Sequence, residues 1–117
     1  MPTTTLYRPV GQKELDLIAA SGYRAFPPRL PDQPIFYPVL NREYAEQIAR
    51  DWNTKDERSG FLGYVLEFDV DADYLSRFEI KKVGASGHLE YWIPAEGLQE
   101  FNRHIQGSIR IIAKFAG

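Results

Sequence analysis

Four of the chain's eight prolines, Pro27, Pro28, Pro31 and Pro34, fall within eight residues. Each proline fixes its own φ and removes a backbone donor, so the segment of about 23–34 can be neither a helix nor a central strand. It reads as an extended, stiff loop, with Arg24 and Arg29 among the prolines. The chain has 117 residues, which fits one domain, 1–117, and leaves no room for a second of ordinary size. A long non-regular segment inside so small a domain is more often functional than idle.

The elements around that loop follow from periodicity. Leu6–Val10 reads as a short strand that Pro9 confines to an edge or a strand end. Leu15, Ile18 and Ala19 recur at helical spacing over 12–21, with Gly22 as the stop. Ile35–Leu40 is apolar and aromatic, a strand. Asn41 then supplies an N-cap for a helix striped by Tyr44, Ile48 and Trp52, with Ala45 and Ala49 beside them. That stripe reads as core. A polar loop, 54–60, precedes a strand over Phe61–Val70, and Asp71–Phe78 is a turn or short helical piece. Glu79–Val83 and His88–Ile93 read as strands around a flexible Gly84–Gly87 loop. Pro94 suits the first position of a helix carrying Leu98, Phe101 and Ile105, Gly107 breaks it, and Ile109–Phe115 is the closing strand. The sum is α+β, with two to three short helices and strands in the majority after residue 60.

Composition excludes several function classes. Hydrophobic residues at 44% and charged residues at 26% are those of a folded globular domain, which removes disorder and coiled-coil readings. There is no cysteine, so disulfides, thiolate metal sites and a thiol nucleophile are excluded together. A formal net charge of −2 disfavours non-specific nucleic-acid binding, which needs a basic excess. No apolar run approaches the roughly 20 residues of a membrane span, and Met1–Thr5 carries no charged n-region before an apolar stretch. A soluble cytoplasmic protein is the expectation. Aromatic residues reach 14%, enough to fill a core and also to line a cleft with rings that stack on a flat ligand.

Motif chemistry is sparse. Gly84 and Gly87 lack the strand–glycine–helix context of a phosphate loop. His88 and His104 have no metal-ligand spacing around them, so no metal is expected. The remaining polar residues sit on the expected strands: Arg8 on the first, Tyr37 on the second, Glu90 after the glycine loop. An arginine and a glutamate facing one cleft can hold a phosphate or ribose and stabilise positive charge on a sugar as a bond breaks. On residues alone, Arg8 reads as an ion-paired surface or edge-strand arginine, Tyr37 as a core or half-core tyrosine, and Glu90 equally as a solvent-facing residue or a site residue. By alternation Glu90 shares a face with His88 and Trp92. His104 reads as surface, and Lys81–Lys82 as a solvated strand edge.

Four stretches in this order and spacing carry a resemblance: Leu6-Tyr7-Arg8-Pro9-Val10-Gly11, Ala25-Phe26-Pro27-Pro28-Arg29-Leu30-Pro31, Ile35-Phe36-Tyr37-Pro38-Val39-Leu40-Asn41 and His88-Leu89-Glu90-Tyr91-Trp92-Ile93-Pro94. With the closing strand they cover nearly the whole chain. It resembles the ADP-ribosyltransferase superfamily, and more closely short bacterial proteins labelled as ADP-ribosylation-related. The resemblance implies a split β-sheet core and NAD as substrate. It further implies that Arg8 contacts NAD, Tyr37 packs on the nicotinamide side and Glu90 polarises the ribose. His88, Trp92 and Arg29 would be further NAD-binding residues.

The chain departs from the arginine-modifying branch of that superfamily. The Ser-Thr-Ser pattern is missing, and His88 stands where that branch has an acidic residue two before the catalytic glutamate. Another macromolecular acceptor, hydrolysis of NAD, or a catalytically degenerate nucleotide- or protein-binding module stay open. A metal-free nuclease pairing His88 with His104 is a third reading.

Overall fold

Leu6, Arg8 and Val10 are buried while Tyr7 and Pro9 between them are partly exposed, the period-two pattern of a strand with one face in the core. In the computed structural model this strand, β1, runs Thr3–Val10. The structure describes residues 2–29, 32–82 and 88–116. Expectations placed on Leu30, Pro31, Val83 and the Gly84–Gly87 loop lie outside them.

β1 pairs antiparallel along its whole length with β3 (Leu62–Asp71), which pairs antiparallel with β7 (Ile105–Ala116). β4 (Ile80–Lys82) and β5 (Leu89–Tyr91) form an antiparallel ribbon. One residue joins it to the three-stranded sheet. Val39 exchanges both main-chain hydrogen bonds with Tyr7, each 2.8 Å, and lies opposite Glu90, where Leu40 N–H donates to Leu89 O and Tyr91 N–H to Pro38 O. Toward the end of β1 the next position that could bond on this side is Pro9, which has no N–H to give, and toward Thr5 the facing segment turns into a helix after Asn41. Pro9 and Pro38 therefore frame a junction one residue wide, and the sheet divides beyond it.

Helices cover both faces. α1 (Gln12–Ala20), α3 (Ala72–Leu75) and α4 (Leu98–Arg103) pack Leu15, Ile18, Tyr74, Leu75, Leu98 and Phe101 into the main core with Leu6, Val10, Leu66 and Phe68. Phe26 and Phe36 complete it, their rings 4.9 Å apart. α2 (Arg42–Asp51) covers the opposite face through Ala45 and Ala49, which pack with Val39 and Val65. Its start is capped as expected: Asn41 Oδ1 accepts from Glu43 N–H at 2.8 Å and Tyr44 N–H at 3.3 Å. The architecture is α+β. None of the described helices is long and apolar enough to cross a membrane.

Four sequence expectations are corrected. The described residues hold four α-helices rather than two to three. The strand expected over 35–40 shortens to β2 (Ile35–Phe36), because its partner, β6 (Ile93–Pro94), is only two residues long and Pro38 lies just beyond. Pro94 ends β6 instead of starting a helix, and a 3₁₀ turn, Ala95–Gly97, leads into α4. α4 closes before Ile105, and Gly107 (φ 73°) sits inside β7 beside a register irregularity instead of ending the helix.

Candidate functional site

Strand parity decides where each candidate side chain starts. Directly opposed residues of an antiparallel pair share a face, so Tyr7, Val39 and Glu90 share one, and Arg8 leaves from the other. Arg8 and Glu90 nevertheless both line one cleft of about 820 Å³, with Tyr37, Val39, Tyr44 and Trp52, because the sheet divides beside them. The volume lies within the roughly 300–1,000 Å³ typical of small-molecule sites.

Glu90 is buried, and its Oε1 accepts a 2.7 Å hydrogen bond from Trp92 Nε1. The shared face expected from alternation is thus realised as a direct contact. Trp92 stands edge-on to Tyr37, ring centroids 5.9 Å apart, with the Lys81 ammonium 5.4 Å from the Trp92 ring centre. Tyr37 and Trp92 are 39% and 41% exposed, so Tyr37 is a cleft residue and not a core or half-core tyrosine. His88 lies flat on Tyr44, 4.1 Å between ring centres. Burial first, and then the Glu90 carboxylate, push the Tyr44 hydroxyl above the usual tyrosine range.

Arg8 is buried against Phe36, its guanidinium 4.6 Å from the ring centre, and is gripped bidentately by Glu14: Nε donates to Oε2 at 2.7 Å and NH2 to Oε1 at 3.0 Å. Arg29 reaches the same carboxylate at 3.9 Å, and its Nε is buried with no hydrogen-bond partner. Burial, and then the neighbouring Arg8, hold Arg29 below the usual arginine range. Two guanidinium groups thus share one carboxylate in a second cleft, of about 910 Å³, that shares Arg8, Pro9, Asn53 and Asp56 with the first.

The structure therefore gathers Arg8, Tyr37 and Glu90 in one cleft, attaches Trp92 to Glu90, sets His88 behind Tyr44, and places Arg29 beside Arg8 next door. It does not unite the histidines. His104 stacks on Tyr74 on the main-core side and bonds Asp71 Oδ2 through Nδ1 at 3.0 Å, whereas His88 sits with α2 on the other side. Among the described residues no group of three or more His, Asp or Glu side chains is placed to hold a metal ion. Sequence reasoning missed Glu14 and Trp52. No spacing marked Glu14, which the turn into α1 brings back onto Arg8. Trp52 is 74% exposed and not core; the signal for this was the Ala45–Ala49 pair, whose small side chains mark the face that packs closely on the sheet.

The chain matches no protein-family model and no curated relative.

Proposed function

We propose that the cleft is an NAD site of the ADP-ribosyltransferase kind, formed where a split β-sheet divides, and that it cleaves the nicotinamide–ribose bond. The observation that carries this reading is the convergence of Arg8, Tyr37 and Glu90 on one cleft from three separate extended segments. Arg8 and Arg29 supply cationic groups for the phosphates, and Tyr37 and Trp92 supply rings for the nicotinamide. As the C–N bond breaks, its electron pair leaves with the pyridinium nitrogen as neutral nicotinamide. The ribose carries oxocarbenium-like charge, which the fixed Glu90 carboxylate stabilises. An acceptor or water then adds at that carbon and gives up its proton. With His88 in place of an acidic residue two before Glu90, the acceptor is a group other than protein arginine, or water.

The test is nicotinamide release by wild type and by Glu90→Gln. Glutamine keeps an oxygen for Trp92 Nε1 and loses only the charge, so the fold should persist while release falls by about 10²–10³, the usual loss for one preorganised electrostatic group. Wild-type-like turnover in that variant, or neither binding nor release by wild type, refutes the reading. One observation favours a degenerate binding module instead: Glu14 already satisfies Arg8 bidentately. Binding without release, unchanged in Glu90→Gln, would be its signature.

A further inference from the structure

Tyr44, Ile48 and Trp52 lie four residues apart and all line the cleft, so one face of α2 forms a continuous wall. Eight residues at 1.5 Å each set Trp52 about 12 Å along the helix axis from Tyr44. Tyr44 marks the Glu90 end, where it stacks on His88 and lies close enough to feel the Glu90 charge. Trp52 marks the other end. Its backbone is pinned by the helix, its N–H donating to Ile48 O at 2.9 Å, yet the residue is 74% exposed, the most exposed large hydrophobic residue among the described residues. Asp51 and Asp56 also line the cleft; Asp51 Oδ1 accepts from Arg50 Nε at 3.3 Å, and Asp56 accepts from Arg58 N–H at 3.0 Å and Ser59 Oγ at 3.1 Å, each carboxylate keeping further lone pairs for an N–H donor.

A solvent-facing indole whose backbone is held by the helix, at the rim of a nucleotide-sized cleft, has the geometry of a base-stacking platform. Neighbouring acidic side chains suit a base with an exocyclic amine. We propose that Trp52 stacks on the purine base of the bound dinucleotide, two helical turns from the end where Glu90 meets the nicotinamide ribose. This rests on the NAD reading of the cleft and adds the residue that recognises the far half of the ligand.

Trp52 and Trp92 are the only tryptophans, which makes the test direct. In Trp92→Phe the emission comes from Trp52 alone, and AMP, which has no nicotinamide half to meet residue 92, should quench it. By calorimetry, Trp52→Ala should weaken NAD and AMP about tenfold or more, within the range typical of removing one stacked base, while Trp52→Phe, which keeps a ring, weakens them less than about threefold. Nicotinamide mononucleotide, which lacks the purine, should bind Trp52→Ala and wild type alike. NAD binding undiminished in Trp52→Ala overturns the inference and leaves the cleft reading standing. Equal weakening of NAD and nicotinamide mononucleotide also overturns it, since the indole would then support the whole cleft. Trp52-dependent NAD and AMP binding with no nicotinamide release, unchanged in Glu90→Gln, sustains the platform and removes the ADP-ribosyl reading. No nucleotide binding by wild type overturns both.

Discussion

Replacing Glu14 with glutamine should move two measurable quantities in opposite directions. The carboxylate makes two charge-assisted bonds to Arg8 and stands 3.9 Å from Arg29, with side-chain exposures of 22%, 10% and 11% respectively. Exposed ion pairs contribute about 0–1 kcal/mol, and breaking a fully buried one costs about 3–5 kcal/mol. This partly buried cluster falls between, so Glu14→Gln should destabilise by about 2–3 kcal/mol. For a domain near this size that is roughly 8–12 °C in Tm. The two guanidiniums would then face each other over Phe36 without their shared counter-ion. An added anion should take its place, so pyrophosphate should bind the variant more tightly than wild type and recover much of the lost Tm. The assay is thermal unfolding of both proteins with and without pyrophosphate. A variant that melts within about 2 °C of wild type shows that the carboxylate does not hold the cluster. A variant that melts lower and binds pyrophosphate less well shows that the arginines are no anion seat.

Two further substitutions test the frame around the site. Asp69 is held below the usual carboxylate range, first by the 2.6 Å hydrogen bond from Thr5 Oγ1 and then by Arg110. A depressed folded pKa stabilises above the unfolded value of about 3.9, and that stability is lost as pH falls through the folded value. Thr5→Val should therefore be less stable than wild type at pH 7 by urea unfolding, with the gap closing as the pH drops below about 4; a gap that widens in acid refutes the assignment. Gly63 lies under α2, where an added Cβ would run into the Ala49 carbonyl. Gly63→Ala should cost about 2–3 kcal/mol, as overpacking a tight backbone contact does, and a wild-type urea midpoint would show that α2 can lift away freely.

Local rules made much of the frame legible. Asn41 announced the start of α2 because its side chain bonds the first free N–H groups whatever the rest of the chain does. The core residues Leu15, Ile18, Leu98 and Phe101 followed from helical spacing. What failed depended on partners distant in sequence. Pro94 sits in a strand only because Phe36 and Ile35 lie opposite β6, and Ile105 leaves the helix because it pairs with Val70. The α2 stripe was misread at its end, because hydrophobicity ranks Trp52 above two alanines: Tyr44 and Ile48 are partly buried and Tyr44 packs against the cluster of Val39, Ala45, Ala49 and Val65, but Trp52 is exposed. Close approach to Gly63 rewards the small side chains instead.

The cleft itself has the same mixed origin. Arg8 and Glu90 could be named from the chain, but strand alternation alone would keep them apart, since pairing through Val39 sends them to opposite faces of the sheet. They meet because the sheet is interrupted, and the interruption has a chemical cause. Beyond Tyr7, the next ladder position on that side of β1 is Pro9, and the bridging residue Val39 is preceded by Pro38. With no donor at residue 9, and with the chain turning into α2 after Asn41 on the Thr5 side, pairing is held to one residue, and the gap that opens is walled by α2 on one side and by the Arg8–Glu14 pair on the other. The two prolines that look like defects in a strand pattern are what let a buried carboxylate and a buried guanidinium from opposite faces look into one space.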